Sequence, residues 1–480
     1  MPDGTKPRKT KITCTLGPAS SSPDKIARLI RAGMDVARLN FSHGDHASHR
    51  QAIADLRQAA QDAGRPVGIL QDLAGPKIRL GLLPQGERLL AQDEEITLVP
   101  VPDGGEAPDP DALPVNYPYL IEDVEEGESI LLADGLVELR VRAKRPHSVL
   151  CRVVVPGLVS SRKGVNLPAS SLRIPTFTEK DLADLTMGLE EQVDFVAMSF
   201  VRHEKDLTPI RDLVAGRPFP PLIIAKIEKP QAVERLESIL KVVDGVMVAR
   251  GDLGVEMPLE QVPIIQKQII SQARRAGKVV ITATQMLRSM MSSPRPTRAE
   301  ATDVANAVLD GTDAVMLSDE TAVGNYPVQA VQVLDRICRA TEPFLNESPF
   351  LREDFSPLLP EGEAALTRSA CFLARDLDAP VLVATTASGR TARLMARLRP
   401  ARDIVGLTSH PEVYRQLAMS WGVFPILCRE FDDLEHMTRM AKEWVQSQGL
   451  AQDGQKLVIT CGYPLNITGT TNMLKVVGLP

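Results

Sequence analysis

Eight short apolar runs rich in Val and Ile are the feature that most limits how this chain can fold. Most lack strict alternation of apolar and polar residues, which indicates strands covered on both faces, as in a parallel sheet. The runs are KITCTL (11–16), VARLNF (36–41), VGILQD (67–72), FVAMSF (195–200), LIIAKI (222–227), GVMVAR (245–250), VVITAT (279–284) and AVMLSD (314–319). Because helical stretches separate them, they predict a (β/α)8 TIM barrel with its chemistry at the carboxyl ends of the strands.

About a hundred residues of a different character separate the third run from the fourth. ESILLADGLVELRVRA and SVLCRVVVPGLV alternate and carry turn glycines, which predicts an inserted all-β domain placed to close as a lid. After the helical PVQAVQVLDRICRATE, the Pro-rich ESPFLREDFSPLLPEG indicates a linker. Beyond it APVLVATT, DIVGLT, VFPILC, KLVITC and NMLKVV alternate with helices, which predicts an open, mostly parallel α/β domain.

We therefore predict three domains. The catalytic barrel takes residues 1–75 and 173–345, the β-rich lid 76–172, and a C-terminal α/β regulatory domain 346–480. With a net charge of -6, the chain lacks the basic footprint of a nucleic-acid-binding protein. The six cysteines include no C-x-x-C pair, and neither a signal peptide nor a membrane-length apolar run is visible. We expect a cytoplasmic protein without nucleic-acid or membrane partners.

The run LIIAKI ends in charge, as IIAKIEKP. Side chains two apart on a strand lie on one face, so Lys226 and Glu228 should point the same way. Taken alone, they could be a local ion pair at a solvated strand end. Polar groups follow most of the other strands too, namely Arg38, Asn40, Ser42, Asp72, Ser199, Arg202, Arg250, Asp252, Thr284, Ser318 and Glu320. A ring of such groups around a barrel mouth predicts a functional site.

The residue types in this ring suggest the chemistry. Glu228 and Asp252 are hard oxygen ligands without supporting His or Cys, which suits Mg²⁺ or Mn²⁺. Arg38, Lys226 and Arg250 would surround that metal with positive charge, as an anionic phosphate substrate requires. The glycines in RGDLG would let backbone N–H groups approach a ligand closely.

From about Thr10 onward the chain resembles the pyruvate kinase family. The motifs that carry the resemblance stand in the family's order: TKITCTLGPAS, DVARLNFSHGD, GPKIR, SRKGVNLP, IIAKIEKP, VMVARGDLGVE, ATQML and PTRAEATDVANAVLDGTDAVML. The resemblance implies a barrel, a lid, a C-terminal domain with a regulatory site and commonly a homotetramer. It also implies phosphoenolpyruvate and ADP as substrates, with the divalent metal at Glu228 and Asp252.

The resemblance further implies how the substrate is handled. Arg38 would bind the transferring phosphoryl group, and Lys226 would neutralise charge on that group and on the enolate. The backbone of Gly251 would meet the substrate carboxylate beside Asp252, and Thr284 would help deliver the proton that gives pyruvate. The reaction would run by positioning and electrostatics, without a covalent enzyme intermediate.

Four further residues match the family's nucleotide site. Arg79 and Lys180 match phosphate positions, His43 matches one near the base, and Asn40 belongs to the same set. Lys180 has independent support, because FTEKDLADL predicts a helix capped by Thr178. A Lys in the first turn is disfavoured by the helix dipole unless an anion is nearby, although a solvated Lys is the alternative.

The family usually binds K⁺ at positions that match Asn40, Ser42, Asp72 and the backbone of Leu73. Members that need K⁺ typically carry Glu in the motif that reads GPKIR here, where this chain has Lys77. A Lys ammonium is a compact cation on a flexible stem, so it could substitute for the ion. We therefore predict that K⁺ is not required; the alternative is that Lys77 merely points to solvent at the lid hinge.

A sugar-phosphate or nucleotide effector is expected in the C-terminal domain, at TTASGRTARLMARLRP. The turn Ser388–Gly389–Arg390–Thr391 would follow the strand APVLVATT and precede the helix TARLMARL. Together with Thr385, its hydroxyls and N–H groups would bind a phosphate. An ordinary Ser/Thr helix cap is the alternative.

Two other classes of function compete with a kinase. A metal-dependent carbon–carbon lyase of the pyruvate/phosphoenolpyruvate barrel group would share the metal-binding carboxylates, but would not need the inserted lid, Arg79 or Lys180. A regulatory protein that only binds ligands would be expected to lack at least one of four reactive residues, and all four are present: Lys226, Glu228, Asp252 and Thr284.

Overall fold

The computed structural model describes residues 7–168, 173–347, 361–465, 469 and 471–480. Eight parallel strands close into a barrel in chain order, and the eighth pairs with the first. In order they are Lys11–Leu16, Val36–Asn40, Gly68–Asp72, Phe195–Met198, Leu222–Ile227, Gly245–Ala249, Val279–Ala283 and Ala314–Leu317. The predicted (β/α)8 barrel is confirmed, and each apolar run forms its expected strand to within two residues.

Helices cover the outside of the barrel, and their apolar faces pack against the strands. The first begins at Pro23, whose fixed φ suits the first helical turn, and it buries Ile26, Leu29 and Ile30 on one face. The longer helices are Pro23–Ala32, His46–Asp62, Glu179–Glu190, Val262–Arg275, Arg298–Asp310 and Pro327–Thr341. Shorter ones are Thr208–Val214, Pro230–Glu234, Leu236–Leu240, Arg250–Glu256 and Asp319–Ala322.

The lid is a β domain with a hydrophobic core separate from that of the barrel. Six of its strands form one mixed sheet, in the order Val165–Asn166, Ser129–Leu132, Val137–Arg145, Ser148–Val155, Glu95–Pro100 and Leu113–Val115. Gly157–Ser160 pairs with Glu87–Leu90 in a second, two-stranded sheet. One short helix, Leu120–Asp123, is the described exception to the predicted all-β content.

The C-terminal domain has a five-stranded sheet in the order Val423–Leu427, Asp403–Thr408, Val381–Thr385, Lys456–Gly462 and Thr471–Gly478. Only the last strand is antiparallel, as an open, mostly parallel sheet predicts. Its helices are Glu361–Asp376, Arg390–Ala396, Pro411–Gln416 and Leu434–Ser447.

The exact domain boundaries stay predictions. Residues 169–172, at the predicted end of the lid, and most of the predicted linker 347–362 lie outside the described residues. Within the part of the chain that the structure describes, no helix combines the length and apolar character needed to cross a membrane.

Candidate active site

Lys226 is at the centre of a buried charge network at the carboxyl end of the fifth strand. Its Nζ lies 2.8 Å from Glu228 Oε1, 3.4 Å from Asp72 Oδ1 and 2.8 Å from Ser199 Oγ. Burial alone would lower the pKa of Lys226, but the carboxylates of Asp72 and Glu228 raise it above its ordinary value. The local ion pair therefore exists, but inside the barrel mouth rather than on a solvated face.

Arg38 extends this network to the second and third strands. Its Nε donates to Asp72 Oδ2 at 2.6 Å, and its Nη1 donates to Thr15 Oγ1 at 2.9 Å. Burial would raise the pKa of Asp72, yet the charges of Lys226 and Arg38 hold it below its usual range. Asp72 is thus paired with two cations, Arg38 and Lys226, at the barrel mouth.

Glu228 and Asp252 are the carboxylates with the chemistry of a divalent metal site. Glu228 Oε2 accepts a hydrogen bond from the Phe200 backbone N–H at 2.8 Å. Burial and the nearby Glu228 carboxylate raise the pKa of Asp252 to about 6, so a bound cation would relieve their repulsion. Among the described residues no group of three or more His, Cys, Asp or Glu could hold a metal. Two carboxylates suffice for Mg²⁺, which usually keeps several waters and substrate oxygens.

Gly251 and Thr284 meet between the sixth and seventh strands. The Gly251 N–H donates to Thr284 Oγ1 at 2.7 Å, so this predicted carboxylate donor is engaged within the protein. Thr284 has a φ of 67°, in the left-handed region that a β-branched residue rarely adopts. Such strain is concentrated at functional sites and indicates that the surrounding structure fixes the position of this side chain.

Two members of the predicted ring serve the framework instead. Arg250 was expected to face the metal, but its Nη2 donates to the Thr284 carbonyl at 2.7 Å and its Nη1 pairs with Asp303 at 2.7 Å. The guanidinium therefore supports the strained backbone at Thr284. Glu320 is buried and accepts from the Leu287 N–H at 2.9 Å, which fixes the loop after the seventh strand.

A cavity of about 420 Å³ lies between the lid and the barrel mouth. Its charged and ionisable lining residues are His43, Lys77, Arg79, Asp134, Arg162, Lys163, Arg202, Lys229 and Asp252. Cationic side chains outnumber the carboxylates, so the cavity favours a polyanion such as a phosphate ester. Burial and the charges of Lys77 and Arg79 lower the pKa of His43, which therefore stays neutral near pH 7.

The cavity contains lysines and an arginine to which the sequence reasoning gave no role. Arg162 and Lys163 come from the lid motif SRKGVNLP, and Lys229 follows Glu228. SRKGVNLP is one of the motifs that carry the family resemblance, and its two adjacent cations are the signal from which Arg162 and Lys163 could have been identified.

Lys180, predicted as a nucleotide ligand, is not among the residues that line this cavity. Its Nζ lies 2.6 Å from Asp184 Oδ2 and 2.7 Å from the Phe41 carbonyl oxygen. Thr178 does cap its helix, as expected. The helix-dipole cost of Lys180 is thus offset by a neighbouring carboxylate of its own helix, and its nucleotide role stays a prediction.

The residues predicted for a monovalent cation lie together at the base of the lid. Lys77 Nζ donates to Ser42 Oγ at 2.8 Å, and the Ser42 N–H donates to Asn40 Oδ1 at 3.1 Å. The Leu73 carbonyl accepts from Ser199 Oγ at 2.8 Å. Each of these polar groups therefore has a partner within the protein, and one of the partners is an ammonium.

The predicted effector turn is shorter than expected. Arg390 and Thr391 belong to the helix Arg390–Ala396 rather than to the turn, because Gly389 adopts a φ of 76° and directs the chain into a helix at the next residue. Arg390 Nε pairs with Glu363 Oε2 at 2.6 Å, and buried Thr391 Oγ1 is 2.7 Å from Thr471 Oγ1. Ser388, Gly389 and Thr385 remain in the loop or at the strand end before the helix.

Comparisons with known proteins agree over nearly the whole chain. The family models of the pyruvate kinase barrel domain and alpha/beta domain match residues 7–331 and 364–477. The chain is 44% identical to a pyruvate kinase of Geobacillus stearothermophilus over 472 residues, 98% of this chain and 80% of that protein. It is 42% identical to one of Clostridium acetobutylicum over 472 residues, 98% and 99% of the two chains. The crystal structure of a pyruvate kinase from Cryptosporidium parvum matches with a TM-score of 0.92 at 36% identity, covering 98% of this chain and 96% of that one.

Proposed function

The chain belongs to the pyruvate kinase family, and we propose that it transfers the phosphoryl group of phosphoenolpyruvate to ADP, giving pyruvate and ATP as the last step of glycolysis. The observation that carries the proposal is the buried network of Lys226, Arg38, Asp72 and Glu228 beneath a cationic cavity. Fixed charges of this kind suit a reaction that depends on positioning and electrostatic stabilisation.

Arg38 and Lys226 would hold the transferring phosphoryl group. Both cations are already oriented by Asp72, so little reorganisation is needed as charge develops in the transition state. Lys226 would also stabilise the enolate that remains after transfer. Thr284 Oγ1 would direct a proton to the enolate carbon, while the Gly251 N–H would bind the substrate carboxylate after exchanging its present partner.

Glu228 and Asp252 would hold the divalent metal, Mg²⁺ or Mn²⁺. When bound, that cation would supply positive charge that polarises the phosphoenolpyruvate oxygens. Glu228 is buried just after the fifth strand, whereas Asp252 lies in the first turn of the helix Arg250–Glu256 and is exposed to solvent. Both offer only oxygen donors, which fits a hard cation. Each oxygen of Glu228 has one protein partner, and a carboxylate oxygen can accept a second interaction.

The nucleotide would bind in the cationic cavity under the lid. Arg79 and His43 line this cavity. Asn40 does not line it; its Oδ1 accepts from the Ser42 N–H, and Ser42 in turn contacts Lys77 of the lining. We add Arg162 and Lys163 as lid residues that would contact the phosphates. Lys180 would reach a phosphate only by leaving Asp184.

We also propose that K⁺ is not required. Support comes from Lys77, whose Nζ donates to Ser42 Oγ at 2.8 Å. This contact brings a positive charge to one of the predicted ion ligands. The negative charge of Asp72, another predicted ion ligand, is already balanced by Arg38 and Lys226. A free cation would therefore have to displace or approach three protein cations.

Regulation is proposed on the C-terminal domain. A sugar phosphate or nucleotide would bind at Thr385, Ser388, Gly389, Arg390 and Thr391, with Arg390 exchanging Glu363 for a phosphate. A cytoplasmic homotetramer is proposed on the resemblance alone.

Pyruvate formation tests the proposal. Phosphoenolpyruvate should give pyruvate and ATP only when ADP and Mg²⁺ are both present. A carbon–carbon lyase would form or consume pyruvate without ADP, and that outcome would replace the proposed reaction with the alternative. Adding K⁺ and then a panel of sugar phosphates to the same assay tests the two finer proposals.

A further inference from the structure

A second buried ion pair involves the residue next to Glu228 and a residue on the helix that carries Asp252, the two carboxylates proposed to hold the metal. Lys229 Nζ is 2.5 Å from Glu256 Oε1, and each residue is only 6% exposed. Lys229 follows Glu228 in the chain. Glu256 ends the short helix Arg250–Glu256, one turn after Asp252. The pair therefore joins the two chain segments that carry the two carboxylates.

The lid contacts the same pair. Asn166 Nδ2, at the end of the lid strand Val165–Asn166, donates to Glu256 Oε1 at 2.8 Å. Glu256 Oε1 thus receives both the Lys229 ammonium and the lid amide. Its other oxygen, Oε2, is buried and has no hydrogen-bond partner among the described residues.

This arrangement is unusual for a pair that only stabilises the fold. A buried ion pair loses much of its Coulomb energy to desolvation, and apolar residues of similar size are often equally stabilising. An orphaned carboxylate oxygen adds a further cost. A role in holding neighbouring groups in place explains the location of the pair, which connects the segment of Glu228, the helix of Asp252 and the lid.

We propose that Lys229 and Glu256 are positioning residues that set the spacing between the Glu228 and Asp252 carboxylates, and that Asn166 couples this spacing to the lid. The inference rests on the proposed function, since it assumes a divalent cation at these carboxylates. A lid that moves away removes the amide from Glu256, so the metal site and the lid should respond to each other.

Mn²⁺ affinity without substrates tests the positioning role, measured by electron paramagnetic resonance of free Mn²⁺. The apolar double variant Lys229→Met/Glu256→Leu should bind Mn²⁺ about 10–100-fold more weakly, the scale for losing groups that orient metal ligands. The matched control is Lys267→Met/Asp310→Leu, which replaces another lysine–carboxylate pair, this one on the outer helices. This control should bind Mn²⁺ as the wild type does. If the double variant does not fold, the Mn²⁺ affinity of Glu256→Gln, which keeps the size of the side chain, tests the same role and should also be weaker than that of the wild type.

Hydrogen exchange tests the coupling to the lid. Mn²⁺ should slow amide exchange around Val165–Asn166 in the wild type, and this slowing should disappear in Asn166→Ala at saturating Mn²⁺. A persistent lid response in that variant overturns the coupling, and Mn²⁺ affinity within threefold of wild type in the double variant overturns the positioning role. A wild-type protein that neither binds Mn²⁺ nor makes pyruvate would instead overturn the proposed function, and this inference with it.

Discussion

Replacing Lys77 by Glu should make the activity depend on K⁺. In the wild type, the Lys77 ammonium donates to Ser42 Oγ at 2.8 Å. Burial, together with the positive charges of Lys226 and Arg79, lowers its pKa, so the ammonium lies in an already cationic region. A carboxylate at this position would leave an oxygen-only set with Ser42 and Asn40, and oxygen donors can replace the hydration shell of K⁺.

The size of the effect follows from the charge change. The interaction of one unit charge with another ~7 Å away, at an effective dielectric constant of about 20, contributes ~2 kcal/mol. Lys77→Glu changes the charge by two units, so without K⁺ the value of kcat/KM should fall by ~10³-fold, at ~1.4 kcal/mol per tenfold. One bound K⁺ restores one unit of positive charge, so kcat/KM should recover by at least ~10-fold.

Pyruvate formation in Tris or Na⁺ buffer, with and without K⁺ at constant ionic strength, measures this response. The wild type should be nearly fully active without K⁺. Lys77→Met is the control, because it removes the charge without adding one, and it should lose activity yet gain little from K⁺. A wild-type enzyme that gains tenfold or more on adding K⁺, or a Lys77→Glu variant that responds no more than Lys77→Met, would refute the reasoning.

Three further predictions concern the reaction, its regulation and the fold. Lys226→Met should lower kcat by ~10³-fold while Mn²⁺ and phosphoenolpyruvate still bind, the scale for losing a charge aimed at the transition state; more than a tenth of wild-type kcat would contradict the role of Lys226. Ser388→Asp should abolish activation by any phosphorylated effector without changing the maximal rate, and unaltered activation curves would exclude the effector site. Burial lowers the pKa of Lys11 from 10.5 to about 8, so between these values the unfolded chain binds a proton that the folded chain does not. The free energy of unfolding should therefore rise with pH across that window and rise less in Lys11→Met, measured by urea unfolding; equal rises would contradict the assignment.

The barrel could be predicted because its strands are encoded locally. Unbroken apolar runs between helical stretches define parallel strands, and the register of the eighth strand with the first follows from closure. The orientation of Lys226 and Glu228 could also be predicted, because side chains two apart on a strand share a face.

The long-range contacts of charged side chains could not be predicted in this way. The sequence places Arg250 in the predicted ring, but whether its guanidinium faces the metal or the Thr284 carbonyl depends on packing against Asp303, over fifty residues away. The pairing of Lys180 with Asp184, by contrast, is local and could have been predicted, because the two residues lie four apart in the predicted helix FTEKDLADL. The pairing of Asn166 with Glu256 depends on how the lid docks, which no local pattern in the sequence encodes.

The insertion of the lid has a consequence for how the chain folds. The third and fourth barrel strands pair directly, Leu70 opposite Phe195, although residues 73–194 separate them. The entropic cost of closing a loop grows only by ~0.6 kcal/mol per doubling of its length, so the insertion is tolerated at equilibrium. It slows the search for contacts, however, because distant strands must meet before the barrel closes. Since the lid has its own hydrophobic core, we expect it to collapse first and bring the two strands together, so that barrel closure follows lid folding in time.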